Sequence, residues 1–394
     1  MAHQPAVTLI GVPTDIGAGH RGARLGPEAL RVAGLPEALE ARGVDVRDLG
    51  NLDGPRNPWT APVQGYRHLD EVVAWNHALM EASYAELQAG RMPIMLGGDH
   101  CLGIGSITAV ARWCREQGKD LRVLWLDAHS DFNTSDVTPS GNIHGMPVAC
   151  LCGLGPDALT KLGGTSPAIK PSQMHQIGIR SVDPEEKRLI KTHRVDVYDM
   201  RYIDENGMKR TVEAALAGID ENTHLHVSFD VDFLDPSIAP GVGTTVPGGV
   251  NYREAQLVME MIADSGRMGS LDIVELNPLL DNHNSTAELA VDLVESLLNG
   301  WTNRSHALHA PAARLHLTRQ CWLRTSLPPR SLQPNPVIER CSGKPKEKPM
   351  KRVVALMLLS MFSVALLAGC NTVAGAGKDV QKAGEKVEDA AKGN

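Results

Sequence analysis

Aromatic side chains are scarce: Phe, Trp and Tyr together make up 4% of the 394 residues. That argues against a protein that reads nucleic acid by stacking bases on rings. Of seven cysteines (Cys101, Cys114, Cys150, Cys152, Cys321, Cys341 and Cys370), no two stand at Cys-x-x-Cys spacing. The four in the first 300 residues read as reduced cytosolic thiols rather than a disulfide frame. A secretory signal is missing from the N-terminus, where the apolar run 7–12 is too short to serve as one. The main body is therefore expected in the cytoplasm. Positive charge is lacking too: residues 1–300 hold 24 Lys and Arg against 40 Asp and Glu, a net of −16. Such a body repels nucleic acid and anionic membranes and mildly favours a cationic ligand. Internal repeats are absent. Hydrophobic residues at 42% and charged residues at 22% exclude collagen-like, coiled-coil and fully disordered chains.

What is present is alternation. Short apolar runs at 7–10, 93–96, 123–126, 175–179, 195–197, 225–229 and 270–274 are mostly bounded by Gly, Asp or Pro, as buried parallel strands are. Between them the spacing predicts helices over 26–33, 69–88, 106–117, 185–191, 208–217, 252–264 and 285–298. This is an α/β layer fold with a mainly parallel sheet, expected to fill residues 1–303.

From about residue 304 the character changes. Residues 304–349 carry nine basic against two acidic side chains, and Pro328, Pro329, Pro334 and Pro336 break any element; a disordered linker is expected. Then come Met350-Lys351-Arg352, an apolar stretch over 353–367, and Leu367-Ala368-Gly369-Cys370. That is a secretory-signal pattern, short of the roughly 20 residues a spanning helix needs. Val380, Ala383, Val387 and Ala390 recur at helical spacing, predicting a short amphipathic helix in the tail. Residues 301–394 carry 15 basic and 6 acidic side chains, net +9. A reversal of sign on this scale suggests segments of different origin or task.

Four polar motifs each follow an apolar run: Gly97-Gly98-Asp99-His100, Asp127-Ala128-His129-Ser130-Asp131, Asp230-Val231-Asp232 and Glu275-Leu276-Asn277. Ligands of open α/β sheets bind outside the carboxyl ends of strands. Alone, an Asp-x-Asp or a Gly-Gly-Asp-His is most often a cap or turn. Together they gather four carboxylates (Asp127, Asp131, Asp230, Asp232) and two imidazoles (His100, His129). Side chains two apart on a strand share a side, about 6.6 Å apart, so each motif is expected to project as a unit. Four anions cannot share a dry site uncompensated; two divalent cations, about 3.5 to 4 Å apart in paired sites, neutralise them. Oxygen-rich, sulfur-free ligation favours Mn²⁺, while Co²⁺, Fe²⁺ and Zn²⁺ fit the same residue types. Cys101 reads as packing. Just beyond lies a polar loop with Asn133 and Ser140-Gly141-Asn142-Ile143-His144-Gly145, too irregular for an element. His144 is suited to proton transfer near neutrality. His20, His68, His77, His193, His224, His226 and His283 lack such company and read as structural or solvated.

At these residues the chain resembles the ureohydrolases, and among them the arginase family, over about residues 5–300. The motifs GGDHC, DAHSDFNT, SGNIHGMP, SFDVDFLDP and DIVELNP match in order and spacing. The resemblance implies a three-layer α/β/α fold and two Mn²⁺ per subunit. It puts His100, Asp127, Asp131 and Asp230 on one ion and Asp127, His129, Asp230 and Asp232 on the other, with Asp127 and Asp230 bridging. Glu275 would hold the substrate guanidinium, and Asp131, His144 and Glu275 would be the catalytic residues, His144 as proton shuttle. Asn133, Thr138 and Ser140 would receive an α-carboxylate and Asp183 an α-amino group. The implied reaction is hydrolysis of L-arginine to L-ornithine and urea through a metal-bridging hydroxide, in a homo-oligomer, trimer or hexamer. The alternatives are agmatinase or another guanidino-compound ureohydrolase, and a non-enzymatic entericidin-like membrane lipoprotein fusion. Two positions depart from the pattern: Cys101 where Ser is frequent, and Ser181 where animal arginases carry Asp. Residues 350–394 are similar to entericidin-type small bacterial lipoproteins, with a lipobox ending at Cys370; membrane association would follow only if that segment served as an anchor.

Overall fold

The computed structural model describes residues 6–307, with side chains through Leu298. The expectations for residues 308–394 lie outside the described residues. Eight strands form one sheet: β1 (Ala6–Gly11), β2 (Asp45–Asn51), β3 (Met92–Leu96), β4 (Asp120–Leu126), β5 (Met174–Ile179), β6 (Asp196–Asp199), β7 (Thr223–Asp230) and β8 (Met268–Val274). Their order is β2-β1-β3-β8-β7-β4-β5-β6, and every neighbouring pair is parallel. The sheet is therefore wholly parallel. All seven expected strands are present. The eighth, β2, reads Asp-Val-Arg-Asp-Leu-Gly-Asn and is mostly exposed. It sits at the edge, where no second apolar face is needed, so its sequence carries no apolar run.

Eleven helices complete the layers: α1 (Gly26–Val32), α2 (Leu35–Ala41), α3 (Leu69–Gln88), α4 (Gly103–Gln117), α5 (Pro147–Leu151), α6 (Asp157–Thr160), α7 (Pro184–His193), α8 (Met200–Asn206), α9 (Met208–Ala215), α10 (Tyr252–Ser265) and α11 (Ser285–Ala307). One core joins Val7 and Leu9 of β1, Leu124 and Leu126 of β4, and Leu225, Val227 and Phe229 of β7 to α1, α2 and α8 to α11. On the opposite face Val123 and Trp125 pack with α4, α5 and α7, and Ile10 and Met95 pack with α3. Alternate residues of each strand thus feed opposite layers, and α/β/α follows. The short helices α2, α5, α6 and α8 lie outside the stretches over which the spacing predicts helices. The last helix continues to Ala307, past 298 and past the boundary expected at 303.

The order of strands positions the chemistry. The four motif-bearing segments leave β3, β8, β7 and β4, four neighbours in the middle of the sheet. At Gly98 the segments after β3 and β8 meet the loop after β1. A Cβ there would stand 1.7 Å from the Thr14 carbonyl oxygen. Thr14 O accepts from Asp99 N–H at 3.1 Å, and Gly98 O accepts from Glu275 N–H at 2.8 Å. Only a residue without a side chain lets the loops after β1, β3 and β8 close this tightly.

Candidate active site

The cleft at the carboxyl ends has a volume of about 190 Å³, sized for a small molecule, and its lining includes His129, Asp131, His144, Asp183, Asp230 and Glu275. All six expected metal ligands converge at its floor. His100, Asp127 and Asp230 offer donor atoms within 4.8 Å of one another, as do Asp127, His129 and Asp232. Asp127 is common to both sets. Around His100 Nδ1 stand Asp127 Oδ2 at 3.0 Å, Asp230 Oδ2 at 3.0 Å and Asp131 Oδ2 at 3.5 Å. His129 Nδ1 lies 3.0 Å from Asp232 Oδ2 and 3.5 Å from Asp127 Oδ1.

The reason for convergence differs from the expected one. β4 ends at Leu126, so Asp127, His129 and Asp131 do not alternate along a strand. They lie on a loop in which Asp131 takes a left-handed φ of 50°. Asp230 closes β7, and Asp232 follows in a single 3-10 turn, Val231–Phe233, whose N–H from Asp232 returns to Asp230 Oδ1 at 2.8 Å. Glu275 also adopts a left-handed φ of 63°. Non-glycine residues held so are concentrated at sites that over-determine them. The stretch 143–145, expected to be irregular, forms a 3-10 turn, Ile143–Gly145, leading into α5.

The donor set fits hard divalent cations. Asp127 Oδ2 is buried and receives no hydrogen bond. Burial, then the neighbouring Asp127 charge, pushes the Asp131 carboxyl well above its ordinary value. Burial, then Asp232 and Asp127, does the same to Asp230. Cations are what such a cluster of oxygens requires to ionise together. His100 is arranged as a ligand: its ring stacks on Trp125, 3.8 Å centre to centre and 2° from parallel. Its Nε2 meets Ser228 Oγ at 2.9 Å, which leaves Nδ1 facing the carboxylates. Asp232 is fixed by the Ala128 N–H at 3.0 Å and the Thr244 hydroxyl at 3.0 Å.

The cleft lining also pairs His144 with Glu275. Glu275 Oε1 accepts from His100 N–H at 2.8 Å and meets His144 Nδ1 at 2.9 Å. Burial disfavours both charges, but Glu275 together with Asp99 leaves His144 raised, and His144 together with His100 leaves Glu275 lowered. The residues expected to receive the substrate's α-carboxylate and α-amino groups line the same cleft. Asn133 Nδ2 donates to Asp183 Oδ2 at 3.2 Å, and Asn133 Oδ1 is buried without a partner. Thr138 and Ser140 line the same cleft. The lining residues Thr244 and Glu186 carry no clear signal in the sequence, whereas Asn142 belongs to the polar loop already singled out. Glu186 is disguised as the helix-start glutamate of a capping box with Asp183. It accepts the Phe132 N–H at 2.8 Å and the Asp183 N–H at 3.2 Å, and burial pushes its carboxyl up to about 7. The Asp183 to Glu186 spacing reads as a helix start and so gives no cue to the cleft.

Comparison with known proteins follows the same boundaries. The Arginase family model matches residues 5–299, and the Entericidin EcnA/B family model matches residues 372–391. Arginase from Brucella melitensis is 47% identical over 294 residues, 74% of this chain and 95% of that protein. The crystal structure of arginase from Bacillus caldovelox is 43% identical with a TM-score of 0.71, covering 75% of this chain and 98% of its own. That of Entamoeba histolytica arginase in complex with L-ornithine is 33% identical with a TM-score of 0.69, covering 75% and 99%.

Proposed function

Because the chain belongs to the arginase family, we propose that it hydrolyses L-arginine to L-ornithine and urea with two Mn²⁺ per subunit. The observation that carries this reading is Asp127, shared by two donor triads on the floor of a cleft whose wall pairs Glu275 with His144. His100, Asp127, Asp131 and Asp230 would hold one ion; Asp127, His129, Asp230 and Asp232 the other. When bound, the ions supply a water acidic enough to lose its proton near neutral pH.

The remaining work falls to side chains. A guanidinium is resonance-stabilised and permanently protonated, so its carbon is a poor electrophile. Glu275 opposes that positive charge and fixes the guanidinium over the floor. Asp131 receives the hydrogen of the attacking oxygen and aims its lone pair at the guanidinium carbon. The carbon–nitrogen bond then breaks only if the departing amine is protonated. His144 is held at Nδ1 by Glu275, which leaves Nε2 to deliver that proton. The amine leaves as the side chain of ornithine, and the carbon leaves as urea. Asn133, Thr138 and Ser140 take the α-carboxylate, and Asp183 the α-amino group.

The test is metal content measured together with urea release from arginine and from agmatine. About two Mn per chain and a clear preference for arginine are expected. Equal rates on both substrates would remove Asn133 and Ser140 from carboxylate recognition, and a metal-free, inactive protein would sink the reading. Light scattering reads the trimer or hexamer directly.

A further inference from the structure

We propose that Arg67 is a positioning residue that sets discrimination at this site, favouring a guanidino substrate that carries an α-carboxylate over the same molecule without one. The inference rests on the arginine reading above and goes beyond it, since Arg67 lies outside the cleft lining and acts through the loop 138–142.

The geometry is a clamp. Arg67 N–H donates to Gly141 O at 2.8 Å. Its Nε donates to Asn142 Oδ1 at 2.7 Å, and its Nη1 to Thr60 O at 3.1 Å. From there the bonds run inward. Asn142 N–H donates to Ser140 Oγ at 3.2 Å. The N–H groups of Ser140 and Gly141 donate to Thr138 Oγ1 at 3.3 and 3.0 Å. The two hydroxyls proposed to take the carboxylate are thus the inner ends of a chain whose outer end is one guanidinium. The loop is also pressed against the Arg67 segment: a Cβ on Gly141, at a φ of 72°, would stand 2.7 Å from Pro62 Cβ.

Two properties of arginine suit the role. It has donors only, so Asn142 must turn its amide oxygen towards Arg67, which fixes the orientation of that side chain beside the cleft. It is always charged, and among the described residues no carboxylate lies within 4 Å of it. That cation stands behind the loop to which a substrate anion would bind, and it has no salt-bridge partner among the described residues. Lysine supplies the charge without the planar fork that reaches two acceptors.

The segment holding Arg67 does not depend on its side chain, because Thr60 N–H also bonds His68 Nε2 at 3.0 Å and Val63 bridges Tyr66. The experiment compares wild type, Arg67→Ala and Arg67→Lys in the Mn-loaded full chain, with arginine and agmatine as substrates and ornithine and putrescine as competing inhibitors. For Arg67→Ala, KM for arginine and the inhibition constant of ornithine should rise about tenfold. The agmatine and putrescine constants should change less than about threefold, and kcat on arginine should move least. Arg67→Lys should recover part of the loss. Equal losses for the carboxylate-bearing and carboxylate-free pairs, or no loss in either, would overturn the assignment while leaving the arginine reading intact. A wild type that prefers agmatine would overturn both.

Discussion

Asp127 belongs to both donor triads, so one substitution should empty both metal positions. Asp127→Ala is expected to hold less than one Mn per chain by elemental analysis and to release no measurable urea. His144 stands differently: it touches Glu275 and belongs to neither metal-donor group. His144→Ala should therefore retain both ions yet turn over about 10²-fold more slowly, the usual contribution of a positioned proton donor. Full turnover in that variant would take His144 out of its role. These two residues were legible because each stands in a short motif of unusual composition. Glu186 was not, since a glutamate three residues into a helix has a sufficient explanation in capping the helix start. Its burial and raised carboxyl emerge only when α7 is folded against the loop that carries Phe132.

At the scale of elements, the buried strands were legible, and of the two edge strands β6 was legible from Val195 and Val197 while β2 was not. β7 is buried along its whole length, and its sequence gives a core run bordered by charge. β2 is an edge strand that alternates charge with single apolar residues, and nothing local separates it from a loop. The convergence of ligands was legible, but the periodicity offered for it was wrong. Loop geometry, including two left-handed residues, gathers side chains that strand alternation alone would not. One strand position carries a testable pH dependence. His175 on β5 is buried, 3.7 Å from Asp196, and burial with the Arg122 charge lowers it to about 4 from an ordinary 6.5. The folded state thus prefers the neutral ring. Its contribution is complete above pH 6.5 and is lost as pH falls through about 4. His175→Phe removes that titration, so between pH 7 and 4 the wild type should lose up to ~3 kcal/mol more unfolding free energy than the variant. Denaturant unfolding of the two proteins at both pH values measures the difference; parallel losses would contradict it.

The whole molecule divides unequally. The relatives match 74–75% of this chain while giving 95–99% of their own length, and the family model ends at residue 299. The described core closes in the same place, with Val291, Val294, Leu297 and Leu298 of α11 packed into the layer beneath the sheet. Every proposed ligand and substrate contact precedes residue 276. The residues from 301 on differ in charge sign, +9 against −16, and their match at 372–391 is to a different family. Among the described residues, the proposed site and the core are thus made before α11 ends. A chain ended after Ala307 should keep urea release per Mn within about twofold of the full chain and a thermal midpoint within a few degrees. A tenfold loss of activity would assign the later residues a part in the enzyme. If the truncated chain performs as expected, an intact-mass measurement on protein from the native source decides what those residues are. A species of about 300 residues would mean that two neighbouring reading frames have been joined, whereas a lipid-free chain of 42.4 kDa would make the tail a genuine extension.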